Sequence, residues 1–131
     1  MMPTMSAMPS AMPSMPAFFD GGMSMGGGMY YMTCTDKNPF GYYSLSFMPW
    51  LYHFDMGWEY FIDAGNSAHG GFMWDQKMGV SFYTEPDIFP FMYNFGKGAW
   101  YYYAPDPNMS GHYSTNPRWF YDFGANKWVS S

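Results

Sequence analysis

The sequence predicts an all-β fold of about eight or nine short antiparallel strands, preceded by an extended arm rich in methionine, proline and glycine. Three observations carry that expectation. Aromatic residues alternate with a period of two, turn-forming residues punctuate the alternation, and no stretch has convincing helical spacing. The composition adds a constraint. Of 131 residues, 13 are Phe, 13 are Tyr and 6 are Trp, while only 11% are charged. Average chains carry roughly 25% charged residues, so a large part of this surface is expected to be covered.

The arm comes first. Residues 1–32 hold ten of the 16 methionines and a single charge, Asp20. Ser6-Ala7-Met8-Pro9, Ser10-Ala11-Met12-Pro13 and Ser14-Met15-Pro16 form a low-complexity near-repeat. Pro3, Pro9, Pro13 and Pro16 remove backbone donors and push the preceding residues toward extended geometry, which excludes an ordinary helix. On a polyproline II helix Met2, Met5 and Met8 share one edge, continued by Met12 and Met15 after a one-residue slip. Gly21-Gly22 and Gly26-Gly27-Gly28 interrupt the second part. The arm, with Met5, Met8, Met12, Met15, Phe18, Phe19, Met23 and Met25 as its contact residues, is expected to pack on a neighbouring subunit.

The domain, residues 33–131, opens with a strand around Phe40–Phe47. Trp50, Tyr52 and Phe54 then alternate with Leu51, His53 and Asp55; after a turn at Asp55-Met56-Gly57, Trp58, Tyr60 and Ile62 resume the pattern. That is a hairpin. Phe91, Tyr93 and Phe95, a Gly96-Lys97-Gly98 turn, and Trp100 and Tyr102 give the same design, with Pro90 aligned on Pro49. A second hairpin type comes after each. Phe72-Met73-Trp74 leads through Asp75–Gly79 to Val80-Ser81-Phe82, and Trp119-Phe120-Tyr121 leads through Gly124-Ala125-Asn126 to Trp128-Val129.

The expectation is an internal duplication of about forty residues, 47–84 and 88–129, forming a sandwich or small barrel. Polar loops at Asp63–Gly70 and Ala104–Pro117 split the two units. Trp50, Tyr52, Trp58, Tyr60, Trp74, Tyr93, Trp100, Tyr102, Trp119, Tyr121 and Trp128 are the candidate aromatic core and interface. Leu51, Phe61, Met73, Tyr101, Tyr103 and Phe120 are expected on the second face, as an apolar interaction patch.

Trp58-Glu59-Tyr60, Phe89-Pro90-Phe91-Met92-Tyr93, Gly98-Ala99-Trp100-Tyr101-Tyr102 and Asn116-Pro117-Arg118-Trp119-Phe120-Tyr121 resemble the aromatic carboxy-terminal modules of large bacterial surface and secreted proteins. That resemblance spans roughly residues 47–131. More loosely, the Trp-Tyr-Tyr hairpins are similar to choline-binding and related cell-wall-binding repeats, although the regular spacing of those repeats is missing and no choline cage carries over. The resemblance implies an extracellular or cell-surface setting. No basic segment followed by an apolar run marks a secretory signal at the amino terminus.

Catalytic chemistry finds no constellation. His53, His69 and His112 lack the paired spacing of a zinc site, and Ser67, Ser81 and Ser114 lack a nucleophile elbow. Asp55, Glu59 and Asp63 lie in or beside one hairpin and read as a solvated edge rather than an acid/base pair. Glu85-Pro86-Asp87 and Asp106-Pro107-Asn108 read as turns. The arm's thioethers suit Cu(I), but methionine as an adaptable apolar filler is the preferred reading, so no metal and no cofactor is expected. Cys34 is single and cannot form an internal disulfide.

A net charge of −5 with five basic residues, Lys37, Lys77, Lys97, Arg118 and Lys127, excludes a phosphate-tracking nucleic-acid binder. No run approaches the roughly 18 apolar residues of a membrane span. The functional expectation is a non-enzymatic extracellular protein that assembles with itself into a filament through the exchanged arm. The alternative is a carbohydrate or cell-wall-binding module that stacks exposed Trp and Tyr on surface polysaccharide.

Overall fold

The structure, a computed structural model, describes residues 15–34 and 38–131. Met5, Met8 and Met12 of the expected arm lie outside the described residues. Eleven strands occur among the described residues, in chain order: β1 (Met23–Gly26), β2 (Met29–Thr33), β3 (Pro39–Phe47), β4 (Trp50–His53), β5 (Gly57–Asp63), β6 (Gly71–Asp75), β7 (Val80–Thr84), β8 (Phe91–Asn94), β9 (Ala99–Tyr103), β10 (Trp119–Asp122) and β11 (Lys127–Ser130). Each pairs antiparallel with the next, so the molecule is one eleven-stranded meander. Its class is the all-β class expected. It is an open sheet, however, and neither a sandwich nor a closed barrel.

The two additional strands come from the expected arm. Met23 pairs with Tyr31 and Tyr31 with Tyr42, which places β1 and β2 on the edge of the chain's own sheet. Gly26, Gly27 and Gly28 all have positive φ and form the β1–β2 turn, a conformation that glycine adopts without steric cost. Upstream, a single 3-10 turn at Ala17–Phe19 drives both phenylalanines into the core. Phe18 lies 5.2 Å from Phe40 and 5.5 Å from Phe61, edge to face. A segment with two buried aromatic anchors and a hairpin belongs to the domain. The boundary therefore falls before Ala17 and not at residue 33, while Met15, Met23 and Met25 stay exposed.

From β2 to β10 each strand turns one face toward a common core, while β1 is exposed throughout and β11 contributes only the half-buried Val129. Leu51, Met73, Met92 and Phe120 occupy the same inward position in β4, β6, β8 and β10, and all four are fully buried. Inner residues of distant strands touch: Phe82 of β7 stacks 6.1 Å from Phe120 of β10, and Phe40 of β3 meets Phe89 at 4.8 Å. Such contacts require the sheet to curl around its own inner face. Burial of each large apolar side chain contributes about 1.5–3 kcal/mol.

Four hairpins, β4–β5, β6–β7, β8–β9 and β10–β11, share one turn design. The last residue of each first strand points inward and caps its own turn. His53 Nδ1 accepts from the N–H groups of Asp55 and Met56, Asp75 from Met78, Asn94 from Lys97, and Asp122 from Gly124 and Ala125. Gly79 and Gly98 close their turns at φ 68 and 65, where Asn126 does the same at φ 54. The caps satisfy turn donors that would otherwise be orphaned.

Candidate functional site

Period-two alternation leaves open which of two apolar faces is inside, and the structure reverses the assignment made from sequence. Leu51, Phe61, Met73, Tyr101, Tyr103 and Phe120, expected as an exposed patch, are all buried. All eleven aromatics proposed as core or interface lie on the outer face. Trp58, Tyr60, Trp74, Trp100, Trp119 and Trp128 are exposed, and Trp50, Tyr52, Tyr93, Tyr102 and Tyr121 are half-buried. The outside of a curled sheet gives large rings room to spread, and their N–H and O–H groups remain wet there. From β4 to β11 no outward strand position carries a charge.

These rings lock one another edge to face. Tyr52 and Trp58 lie 4.9 Å apart at 61°, Trp50 and Tyr60 5.3 Å at 85°, Tyr93 and Trp100 5.5 Å at 76°, and Tyr121 and Trp128 5.3 Å at 78°. Such pairs add about 0.5–1.5 kcal/mol each beyond burial. They also fix ring orientation, so the outer face is pre-shaped.

Trp58 is the residue at which this face becomes a site. It lines three clefts. One, about 340 Å³, is bounded by Phe47, Trp50 and Gln76; a second, about 480 Å³, runs past Tyr52 and Phe54 to Lys77, Thr115 and Asn116. The third, about 250 Å³, reaches Ser44 and Gly28. The side chains of Gln76, Lys77, Thr115 and Asn116 are exposed and make no hydrogen bond or ion pair within the described residues. An aromatic surface flanked by unused amide, hydroxyl and ammonium groups can hold a ligand with both apolar faces and many hydroxyls.

Two buried polar clamps set the walls of the second cleft. Asp55 accepts from Tyr113 N–H at 2.9 Å and lies 3.0 Å from His112 Nδ1. Arg118, fully buried, grips Asp75 through two bonds of 2.7 and 2.8 Å, and donates to the Met56 carbonyl and Ser131 Oγ. Both clamps tie the 104–118 loop to the β4–β5 and β6–β7 hairpins. Asp55 and Glu59 are thus interior groups, which corrects the expectation of a solvated edge; only Asp63 is exposed.

Glu59 lies beside Asp75 on the inner face. Its oxygens receive no hydrogen bond, and burial raises its pKa well above the carboxylate range. Burial and the neighbouring Asp75 both favour its neutral form, while the pKa of Asp75 itself is lowered by the Arg118 guanidinium despite burial. Arg118 Nε and the Tyr43 hydroxyl are the other buried groups without partners among the described residues.

His53 is packed, not a ligand. Its Nδ1 accepts two turn N–H groups, so Nε2 carries the proton and donates to the Phe40 carbonyl at 2.6 Å, and burial lowers its pKa. Cys34 is unpaired, with a thiol pushed up to about 12 by burial. Among the described residues no group of His, Cys, Asp and Glu could hold a metal ion, and no helix is long and apolar enough to cross a membrane.

Another cleft, about 620 Å³, lies at the turn ends between β9 and β11. Its innermost acid, Asp122, is already committed to two turn N–H groups and the Tyr101 hydroxyl. Sequence reasoning found the aromatic residues of the outer face but gave no site role to Gln76, Thr115 or Asn116, which meet Trp58 only through sheet register and the 104–118 loop. No protein-family model, curated protein or solved structure matches this chain.

Proposed function

We propose that this chain is a non-enzymatic, extracellular β module that binds surface or cell-wall polysaccharide through its outer aromatic face, centred on Trp58. The observation that carries this reading is the junction of three clefts at Trp58 with four polar side chains that no other part of the described chain uses. Sugar rings offer apolar faces to an indole and hydroxyls to amides. The likeness of the Trp-Tyr-Tyr hairpins to cell-wall-binding repeats points the same way. Co-sedimentation with insoluble polysaccharides tests it: the intact chain is retained, and the variant Trp58→Ala is washed off. Equal loss of both to the supernatant removes the reading.

Self-assembly is the second reading, and the sheet edges favour it. Among the described residues, edges β1 and β11 have no strand partner on one side, and they expose Met23, Met25 and Trp128 with Lys127 as their one charge. Natural edges are usually blunted by charge or proline. Head-to-tail pairing of β11 with β1 of a second copy would not close and would give a filament. Because residues 17–33 belong to the chain's own sheet, arm exchange is confined to the segment before them. Electron microscopy of the full chain beside a form lacking residues 1–14 tests it, with fibres from the full chain alone as the expected result.

A further inference from the structure

The register of the sheet gives the Trp58 site a direction. Ser44 pairs with Tyr52, Tyr52 pairs with Trp58, and the Gln76 N–H donates to the Trp58 carbonyl at 3.2 Å. These four residues therefore form one row that crosses β3, β4, β5 and the start of the β6–β7 turn. All four are outward and half-buried or exposed. Adjacent strands lie about 4.7–4.9 Å apart, so the row spans roughly 14 Å from Ser44 to Gln76. It has a hydroxyl at one end, two aromatic rings in the middle and an amide at the other.

The three clefts flank this row and nothing interrupts it. It also carries no charge. The next row along the strands, Trp50, Tyr60, Trp74 and Ser81, is as uncharged, and its Trp50 shares one of these clefts with Trp58.

Resting on the polysaccharide reading, we propose that the ligand is an extended, neutral, β-linked glycan that lies across the strands along Ser44, Tyr52, Trp58 and Gln76. The strand spacing is close to the rise of one pyranose unit in a fully extended β-linked chain. One sugar ring then meets one strand, and the row accommodates three to four rings. A coiled α-linked chain has a shorter rise and bends away from a straight row. An acidic glycan gains only Lys77, at one end, against a chain whose net charge is −5.

The test is titration calorimetry of the intact chain with neutral β-linked oligosaccharides from disaccharide to hexasaccharide, with an α-linked series in parallel. Affinity is expected to climb with each added ring up to the tetrasaccharide and then level off, and the α-linked series is expected to bind much more weakly. Trp58→Ala should lower tetrasaccharide affinity about tenfold or more, the equivalent of one aromatic contact, and Gln76→Ala should shift the plateau to a shorter oligosaccharide. Met109→Ala, exposed in the 104–118 loop and outside the three clefts, should leave affinity unchanged. Both site residues are exposed, and melting temperatures that stay well above the titration temperature for each variant will separate lost binding from lost folding. Binding that is equally strong for disaccharide and hexasaccharide, or for α- and β-linked chains, overturns the row while leaving sugar binding in place. Absence of binding to every sugar overturns the row and the polysaccharide reading together.

Discussion

Both faces of this sheet are rich in large apolar side chains, and their organisation is opposite. On the inside, Leu51, Met73, Met92 and Phe120 are fully buried, and the polar groups beside them are nearly all bound: His53, Asp75, Asn94 and Asp122 to their turns, Arg118 to Asp75. On the outside, rings interlock but remain wet, and Gln76, Thr115 and Asn116 have no partner among the described residues. Hydrophobicity does not tell such faces apart. What separates them is whether the polar atoms are already used, and a face with unused polar atoms beside rigid rings is equipped to meet something else.

The contrast predicts a hierarchy of mutational costs. Replacing Arg118 by Ala should be the most damaging, because it strands the Asp75 carboxylate in the interior beside Glu59; a loss of about 3–5 kcal/mol is expected for a broken buried pair, read by denaturant unfolding. Leu51→Ala on the inner face should cost about 2–5 kcal/mol. Trp74→Ala, its counterpart on the outer face, should cost about 1 kcal/mol, since the ring is already 40% exposed. If Trp74→Ala proves as costly as Leu51→Ala, the outer face is a second core and the contrast fails.

A smaller effect isolates the neutral acid. Because the folded-state pKa of Glu59 is raised, its proton stabilises the fold fully below the ordinary carboxylate value of about 4.3, and that contribution is lost as pH rises through the folded value. Glu59→Gln keeps a neutral, similarly shaped group. The variant should therefore match the native chain at acid pH and gain on it steadily as pH increases, measured as melting temperature against pH. A constant difference across pH would mean that Glu59 is ionised in the fold.

Much of this architecture is legible in the sequence. The alternations at Trp50–Ile62, Phe72–Phe82, Phe91–Tyr102 and Trp119–Val129 and the turn residues within each mark four hairpins at their observed places, because period-two patterning and turn chemistry are local. Inside and outside are not local. Leu51 and Tyr52 are both apolar, and only the direction in which eleven strands curl decides which is covered. The low-complexity look of the amino-terminal segment likewise hides Phe18 and Phe19, whose burial depends on Phe40 and Phe61 far along the chain. The Arg118–Asp75 clamp spans 43 residues and leaves no spacing signal.

That the Trp58 end of the outer face is the contact surface is tested most directly by oxidative footprinting of the tryptophans with and without a bound β-linked polysaccharide. The account predicts that Trp58 and Trp128 are both modified in the free protein and that polysaccharide protects Trp58 while leaving Trp128 reactive. Protection of Trp58 before any sugar is added, or none after, would contradict it.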